Sequence, residues 1–365
     1  MIKVCYVINN LEYGGAQTML LELLKNLNKD KYEATVVVVG EKLNNSIEEV
    51  IEELNIKCFF LSFKTGNVRK KNIFSKIKNY ITFRRLLDAI HPNIVHVHLE
   101  NSYSFLYCLL KRKKMIYTIH SFPDRIYTRM FEFFIKRLYK NGRLFVVGCA
   151  KCVTQRMKEL TALSDFAFTT IYNPVDIDNF QPTSFLNSNI FINVARMVEL
   201  KNQKLLLEAF SRVKKVRLDA KLIIVGDGPL YFELVKTAET LGVGESVSFV
   251  GNVSNVFYYL ARSSCFVLTS TTECCPMSVI EAMAAGLPIV ASAVGGCVEI
   301  VKDNGLLFEN GSIESLVQAM LKITSGKEEM QKMSQRSLYY AQEYKSIEVT
   351  KKYEFLYDGF GTEKR

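Results

Sequence analysis

Short apolar runs alternate with longer amphipathic stretches along nearly the whole chain, and this alternation restricts the fold more than any other feature. In the first half the runs fall at 2–8, 34–39, 57–61, 93–98, 115–119 and 144–148, with helical periodicity between them at 16–27, 72–90 and 127–140. Strands that alternate with helices in this way build parallel sheets covered on both faces. The pattern stops at Asn173-Pro-Val-Asp-Ile-Asp-Asn-Phe-Gln-Pro, a polar stretch with two prolines, and restarts at Ile190. Further strands are expected near 190–195, 221–226, 246–250, 265–269, 288–292 and 305–308, followed by a tyrosine-rich helical stretch over 327–360. With 365 residues the chain is too long for one core. The expected fold class is therefore α/β, with two Rossmann-like parallel-sheet domains facing each other across a cleft. The domains are expected at 1–173 and 190–342, joined by a linker at 174–189, with a C-terminal helix at 343–365 whose apolar positions need a surface that either domain could supply, by packing back on the first or staying on the second. In such sheets ligands bind beyond the carboxyl ends of the strands, so the cleft is the expected active site.

Composition narrows the class. Hydrophobic residues make up 48% and charged residues 23%, as in globular domains. The first ten residues read as a buried strand rather than a leader, and no apolar run reaches the roughly 20 residues of a membrane span. The nine cysteines follow no framework, and Cys149-Ala-Lys-Cys152 has no second pair that would make a zinc site. A cytoplasmic protein with reduced thiols is expected. The net charge of +10 is one-sided: residues 1–175 carry 27 Lys+Arg against 15 Asp+Glu, and residues 64–143 alone carry 18 against 4. That stretch includes Arg69-Lys-Lys, Arg84-Arg85 and Lys111-Arg-Lys-Lys. Such a field suits an anionic membrane surface, here the inner face of the cell membrane, or else these are ordinary solvated helix faces. Nucleic acid is not expected as a partner, because no recognised binding motif accompanies the charge.

Several segments could carry chemistry. Glu273 and Glu281 flank Pro276 and a helix start, so one loop carboxylate and one helix carboxylate can meet a single ligand, while the free amides of Met277 and Ser278 offer an anion site; the alternative is a surface glutamate before a helix cap and a solvated helix glutamate. Carboxylates suit hydroxyls and amides suit phosphate, the needs of a nucleotide sugar. Arg196 and Lys201 follow a strand and precede a helix, where two cations can neutralise a leaving diphosphate. Gly14-Gly15 opens the first helix, and Gly226-Asp-Gly-Pro forms a second glycine turn; neither has the dinucleotide spacing. His96 and His98 share one strand face, which could hold a metal or simply line a core, and no third ligand is suitably spaced. His120 ends the next strand and suits a bound sugar, as hydrogen-bond partner or proton carrier, with a satisfied core histidine as the alternative reading.

Taken in order, Gly14-Gly-Ala-Gln, Val95-His-Val-His, Thr118-Ile-His, Asn173-Pro-Val-Asp, Ala195-Arg with Lys201, Gly226-Asp-Gly-Pro, Glu273 to Glu281 and Gly295-Gly-Cys-Val-Glu resemble the retaining glycosyltransferases of family 4, which have the two-lobed GT-B fold. The resemblance spans nearly the whole chain. It implies that Arg196 and Lys201 bind the donor diphosphate with help from amides near Gly15, Met277 and Ser278. It further implies that Glu281 takes the ribose hydroxyls, Glu273 those of the transferred sugar, and the Gly251-Asn-Val253 loop the base, with His120 lining the sugar pocket. Glu273, His120, Arg196 and Lys201 are the catalytic candidates. The implied reaction moves a hexose or N-acetylhexosamine, with retention and without cofactor or metal, from a nucleotide diphosphate sugar to a glycan acceptor. A UDP-sugar is favoured as donor and a polyprenyl-linked acceptor in capsule or O-antigen synthesis as recipient. A sugar-nucleotide epimerase and a non-catalytic sugar-binding protein are the competing readings. Cys274 stands where the family has glycine, and Val298 where it has proline; the first alters the wall around the donor sugar.

Overall fold

The structure, a computed structural model, describes residues 1–63, 73–125, 127–184, 188–253 and 255–361. Contacts divide the chain into two units: Met1–Pro174 together with Ser346–Arg365, and Val175–Lys345.

Unit 1 contains strands β1 (Ile2–Ile8), β2 (Tyr32–Val38), β3 (Lys57–Phe60), β4 (Ile94–His98), β5 (Lys114–Ile119), β6 (Leu144–Gly148) and β7 (Phe168–Thr170). Its helices are α1 (Gly15–Asn26), α2 (Ser46–Glu53), α3 (Ile73–Ile90), α4 (Ser102–Leu110), α5 (Arg129–Lys140) and α6 (Lys151–Thr161). The strands form one parallel sheet in the order β3-β2-β1-β4-β5-β6-β7. The central strand β4 is wholly buried and β1 is buried from Val4 onward, mostly by apolar residues, with His96 and His98 as the polar exceptions in β4. The edge strand β3 instead alternates exposed and half-buried residues.

Unit 2 contains β8 (Ile190–Val194), β9 (Lys221–Val225), β10 (Val247–Gly251), β11 (Cys265–Leu268), β12 (Ile289–Ser292) and β13 (Gly305–Phe308). Between and after them run α7 (Gln203–Val216), α8 (Tyr231–Thr240), α9 (Phe257–Leu260), α10 (Met277–Ala284), α11 (Cys297–Ile300), α12 (Ile313–Ile323) and α13 (Lys327–Ala341). The sheet order is β10-β9-β8-β11-β12-β13, again parallel. The order reverses between β1 and β4 in one unit and between β8 and β11 in the other, and ligand crevices open at such switch points.

The α/β expectation is met, with three local differences. β7 was not anticipated, because three residues after a tight turn are too short to show a period. The helical stretch over 327–360 is two helices, α13 and α14 (Ser346–Gly361). They part at Gln342–Tyr344, where the Val175 amide donates to the Tyr344 carbonyl at 2.8 Å and Tyr344 is buried. The stretch after Pro174 also packs on unit 2: Phe180 meets Phe257 and the Thr183 hydroxyl donates to the Ser263 carbonyl at 2.7 Å.

Helix α14 belongs to unit 1 and buries Val349, Tyr353 and Tyr357 completely. The Ser346 hydroxyl donates to Glu22 of α1 at 2.9 Å, and the Tyr32 hydroxyl donates to Asp358 at 2.7 Å. All nine cysteines are free thiols, and no helix among the described residues is long and apolar enough to cross a membrane.

Candidate functional site

In unit 2 the candidate residues gather where β8 and β11 lie side by side. Lys201 closes a single tight turn after β8, and the Asn202 backbone at φ 48° then swings the chain into α7. Glu273 lies in the loop after β11. The two loops are laced together: the Thr271 amide donates to the Leu200 carbonyl at 2.9 Å, and the Thr269 hydroxyl to the Lys201 carbonyl at 3.0 Å. The Lys201 ammonium thus reaches Glu273 Oε1 at 2.5 Å, and the Ser270 hydroxyl donates to the same oxygen at 2.6 Å. The Glu273 side chain is only 10% exposed. A carboxylate fixed by a cation and a hydroxyl at one oxygen keeps its other oxygen to accept from a ligand hydroxyl.

Arg196 stands exposed at the carboxyl end of β8, with no ion-pair partner among the described residues. Its loop is shaped by the second glycine turn. A Cβ at Gly226 would sit 2.1 Å from the Ala195 carbonyl oxygen, and one at Gly228 2.4 Å from that of Met197. The Met197 amide donates to the Asp227 carbonyl at 2.8 Å. These glycines therefore let the Arg196 loop lie directly on the turn, a packing role that the spacing of the motif alone did not disclose.

Helix α10 begins after Pro276 with no side chain capping it. Its first internal bonds run from Val279 and Ile280 to the Pro276 carbonyl, so the amides of Met277 and Ser278 have no acceptor in the helix. Glu281 follows one turn later, half-buried, and burial pushes its pKa up to about 7. No cation pairs with it among the described residues. Val253, half-buried, follows the edge strand β10. Behind Glu273 the backbone is tight: the Gly296 amide donates to the Glu273 carbonyl at 3.0 Å, and a Cβ on Gly296 would lie 1.7 Å from the Cys274 carbonyl oxygen.

In unit 1, Gly15 is the exposed first residue of α1, whose start also lacks a side-chain cap. The histidines divide into two kinds. His96 is a core residue with both ring nitrogens engaged, Nδ1 with the Tyr357 hydroxyl and Nε2 with the Thr118 hydroxyl, each at 2.8 Å. His98 and His120 bond to each other, Nδ1 to Nε2 at 3.1 Å. Burial drives both rings neutral, pushing His120 down to about 4 and His98 well below its ordinary range. No group of three potential ligands for a metal ion is gathered among the described residues.

Three participants had not been singled out from the sequence: Ser270, His98 as the partner of His120, and Glu100. The Tyr117 hydroxyl donates to Glu100 Oε1 at 3.1 Å, and burial raises the pKa of that carboxyl. Glu100 lines a cavity of about 310 Å³ with Ser102, Phe105, Thr128, Phe131 and Phe134, at the carboxyl end of β4. The sequence signal was the position itself, two residues beyond His98.

Two family models match the chain in tandem, Glycosyltransferase Family 4 over residues 13–179 and Glycosyl transferases group 1 over residues 175–338. The chain belongs to glycosyltransferase family 4. Among curated relatives of this family, the N-acetyl-alpha-D-glucosaminyl L-malate synthase of Bacillus anthracis is 26% identical, covering 88% of this chain and 92% of the relative. The UDP-Gal:alpha-D-GlcNAc-diphosphoundecaprenol alpha-1,3-galactosyltransferase of Escherichia coli is 24% identical, covering 89% of each. Among solved structures, Anabaena HepE in complex with UDP and glucose superposes with a TM-score of 0.83 at 16% identity, over 98% of this chain and all of that one. The family 4 enzyme described here thus shares the GT-B fold.

Proposed function

We propose that this glycosyltransferase moves a hexose or N-acetylhexosamine from a nucleotide diphosphate sugar, a UDP-sugar, to a hydroxyl of a lipid-linked glycan in cell-surface polysaccharide synthesis. The observation that carries the reading is the Lys201–Glu273–Ser270 cluster at the switch point of unit 2. Glu273 accepts from hydroxyls of the transferred sugar. Lys201, Arg196 and the free amides of Met277 and Ser278 take the diphosphate, and in unit 1 the uncapped start of α1 at Gly15 offers amides to an anion. Glu281 accepts from the ribose hydroxyls, and the loop through Val253 takes the base. In unit 1, His120 lines the sugar pocket, and the Glu100 cavity offers aromatic walls and a carboxyl to a pyranose of the acceptor.

The sugar's C1–O bond to the diphosphate breaks as the acceptor oxygen bonds C1 on the same face. The acceptor proton passes to an oxygen of the departing phosphate, so configuration is retained. The cations carry the charge that develops on the leaving group, and neither a metal nor a protein nucleophile takes part. Uridine is favoured because the HepE structure holds UDP, and the lipid-linked acceptor because the Escherichia coli relative is named for one.

Helix α3 supports action at an anionic membrane surface. Ile73, Phe74, Ile77 and Ile81 are 61%, 74%, 50% and 43% exposed, and 73, 77 and 81 share one face. Lys76, Lys78, Arg84 and Arg85 flank them, exposed. α3 packs on α4 and α4 on α5, which adds exposed Leu110, Met130 and Phe133 and the cations Arg129, Arg137 and Lys140. Apolar side chains ringed by cations suit the boundary between headgroups and acyl chains. The Arg69-Lys-Lys run of the basic stretch lies outside the described residues.

Saturation-transfer NMR against UDP-, GDP-, ADP- and dTDP-sugars tests the site. One donor should bind, and Arg196→Ala and Glu281→Ala should each abolish its signal; binding that survives both substitutions overturns the assignment. Turnover of a donor without acceptor would favour an epimerase. Flotation with anionic and neutral vesicles tests the membrane clause, which equal recovery in both would remove.

A further inference from the structure

The pairing of His98 with His120 leaves a question of protons that the proposed reaction does not answer. The rings lie nearly parallel, with centroids 5.3 Å apart and planes at 21°, and share one hydrogen bond between His98 Nδ1 and His120 Nε2. The outer nitrogens, His98 Nε2 and His120 Nδ1, are both buried and have no partner among the described residues. Buried polar atoms without partners are uncommon and call for a reason.

With both rings neutral, only two arrangements satisfy the shared bond. In the first, His120 Nε2–H donates to His98 Nδ1, so the second proton of the pair sits on His98 Nε2. In the other, His98 Nδ1–H donates to His120 Nε2, and the second proton sits on His120 Nδ1. The surroundings of His98 separate them. This ring has no exposed surface; its centroid lies 4.2 Å from that of His96, with the planes tilted by 37°, and 6.1 Å from the ring of Tyr6. Both nitrogens of His96 are already engaged. A proton on His98 Nε2 would be an N–H donor sealed among rings, and a stranded donor is worse tolerated than a stranded acceptor. His120 follows the end of β5 and, unlike the wholly buried His98, is only half-buried, so of the two covered outer nitrogens its Nδ1 is the one on a residue that reaches the surface.

We infer that His98 is a positioning residue that holds His120 in the tautomer protonated on Nδ1, so that His120 meets an oxygen of its ligand as an N–H donor. The choice of ligand, a sugar hydroxyl or a phosphate oxygen, rests on the function proposed above; the tautomer does not. A histidine free in water prefers its proton on Nε2, so the inferred state is one that the protein must impose. Asparagine at position 98 can place an amide N–H near the Nδ1 position and keep the donation to His120 Nε2, whereas leucine cannot.

The test is long-range 15N–1H correlation NMR of the full chain labelled with 15N-histidine, without ligand, the four histidines being assigned by single substitutions. His120 is expected to show a proton-bearing Nδ1 and a bare Nε2. His98→Leu should lose that signature, and His98→Asn should retain it. A proton on His120 Nε2 in the native protein overturns the inference, as does an Nδ1 signature that survives in His98→Leu. If His98→Leu fails to fold, the native spectrum and His98→Asn still decide. Adding the donor selected in the panel above tests the ligand reading separately: a shift of the His120 Nδ1 resonance supports contact there, and a failure to bind leaves the tautomer result standing.

Discussion

Gly296→Ala should disable the donor site without unfolding the protein, and the size of the effect can be worked from the backbone. Gly296 has ordinary right-handed angles, φ −64° and ψ −18°, so alanine meets no conformational penalty there. The obstacle is space. Its Cβ would lie 1.7 Å from the Cys274 carbonyl oxygen and 2.7 Å from the carbonyl carbon, whereas real Cβ atoms do not approach within 3.0 Å. The Cys274 peptide must therefore retreat by about 1.3 Å. Glu273 is the preceding residue, and its carbonyl is tied to the Gly296 amide, so the carboxylate moves with the loop and its bonds to Lys201 and Ser270 are strained. A misplacement of about 1 Å costs on the order of 10²-fold in turnover, and overpacking costs roughly 1–3 kcal/mol in stability. The measurements are calorimetric titration with the donor that the NMR panel selects, transfer rate, and thermal unfolding. Gly359→Ala is the control: its Cβ meets nothing within 4 Å, and alanine in helix α14 should leave donor affinity unchanged and stability equal or slightly higher. Gly296→Ala with native affinity, rate and melting temperature would refute the tight packing of this loop and the dependence of Glu273 on it.

Other consequences follow from buried groups. The Glu281 carboxyl has its pKa raised to about 7, so the folded protein holds this proton more tightly than the unfolded chain, in which glutamate titrates near 4.3. Stability from this group is therefore greatest below about pH 4 and declines as pH rises toward 7. Glu281→Gln should gain melting temperature relative to the native protein between pH 5 and pH 8, and a difference that stays constant with pH would contradict the burial. Tyr357→Phe removes the hydroxyl that meets His96 Nδ1 at 2.8 Å and leaves a fully buried ring nitrogen unpaired. Urea unfolding should show a loss of roughly 1–3 kcal/mol, and an unchanged midpoint would mean that this bond does not hold α14 to unit 1. Phe74→Glu with Ile77→Glu places two charges on the apolar stripe of α3, each replacing a side chain worth roughly 1.5–3 kcal/mol on burial. Recovery with anionic vesicles should drop at least tenfold while donor binding persists; undiminished flotation would rule α3 out as the contact.

Most of the architecture was legible because a parallel sheet leaves a strong trace. A strand buried on both faces is mostly apolar, and the helix after it carries an apolar stripe, so each βα unit announces itself locally. What was not legible depended on partners far away in the chain. Nothing between Lys327 and Gly361 breaks a helix; the break at Tyr344 exists because Val175, some 170 residues earlier, bonds its carbonyl. The site shows the same limit at finer scale. Arg196, Lys201, Glu273 and Glu281 could be chosen one by one for their chemistry, but the Lys201–Glu273 contact spans 72 positions and forms only because β8 and β11 are neighbours. His98 and His120 came closer to being predictable. β4 and β5 are consecutive and parallel, and the register sets His98 opposite Thr118, which leaves His120 just past the strand end. Two histidines at the ends of consecutive strands in a βαβ unit are therefore set side by side by the register, and their positions imply a pair. Either histidine alone fits a core role as well as a functional one, whereas the pair makes one the means by which the other is set.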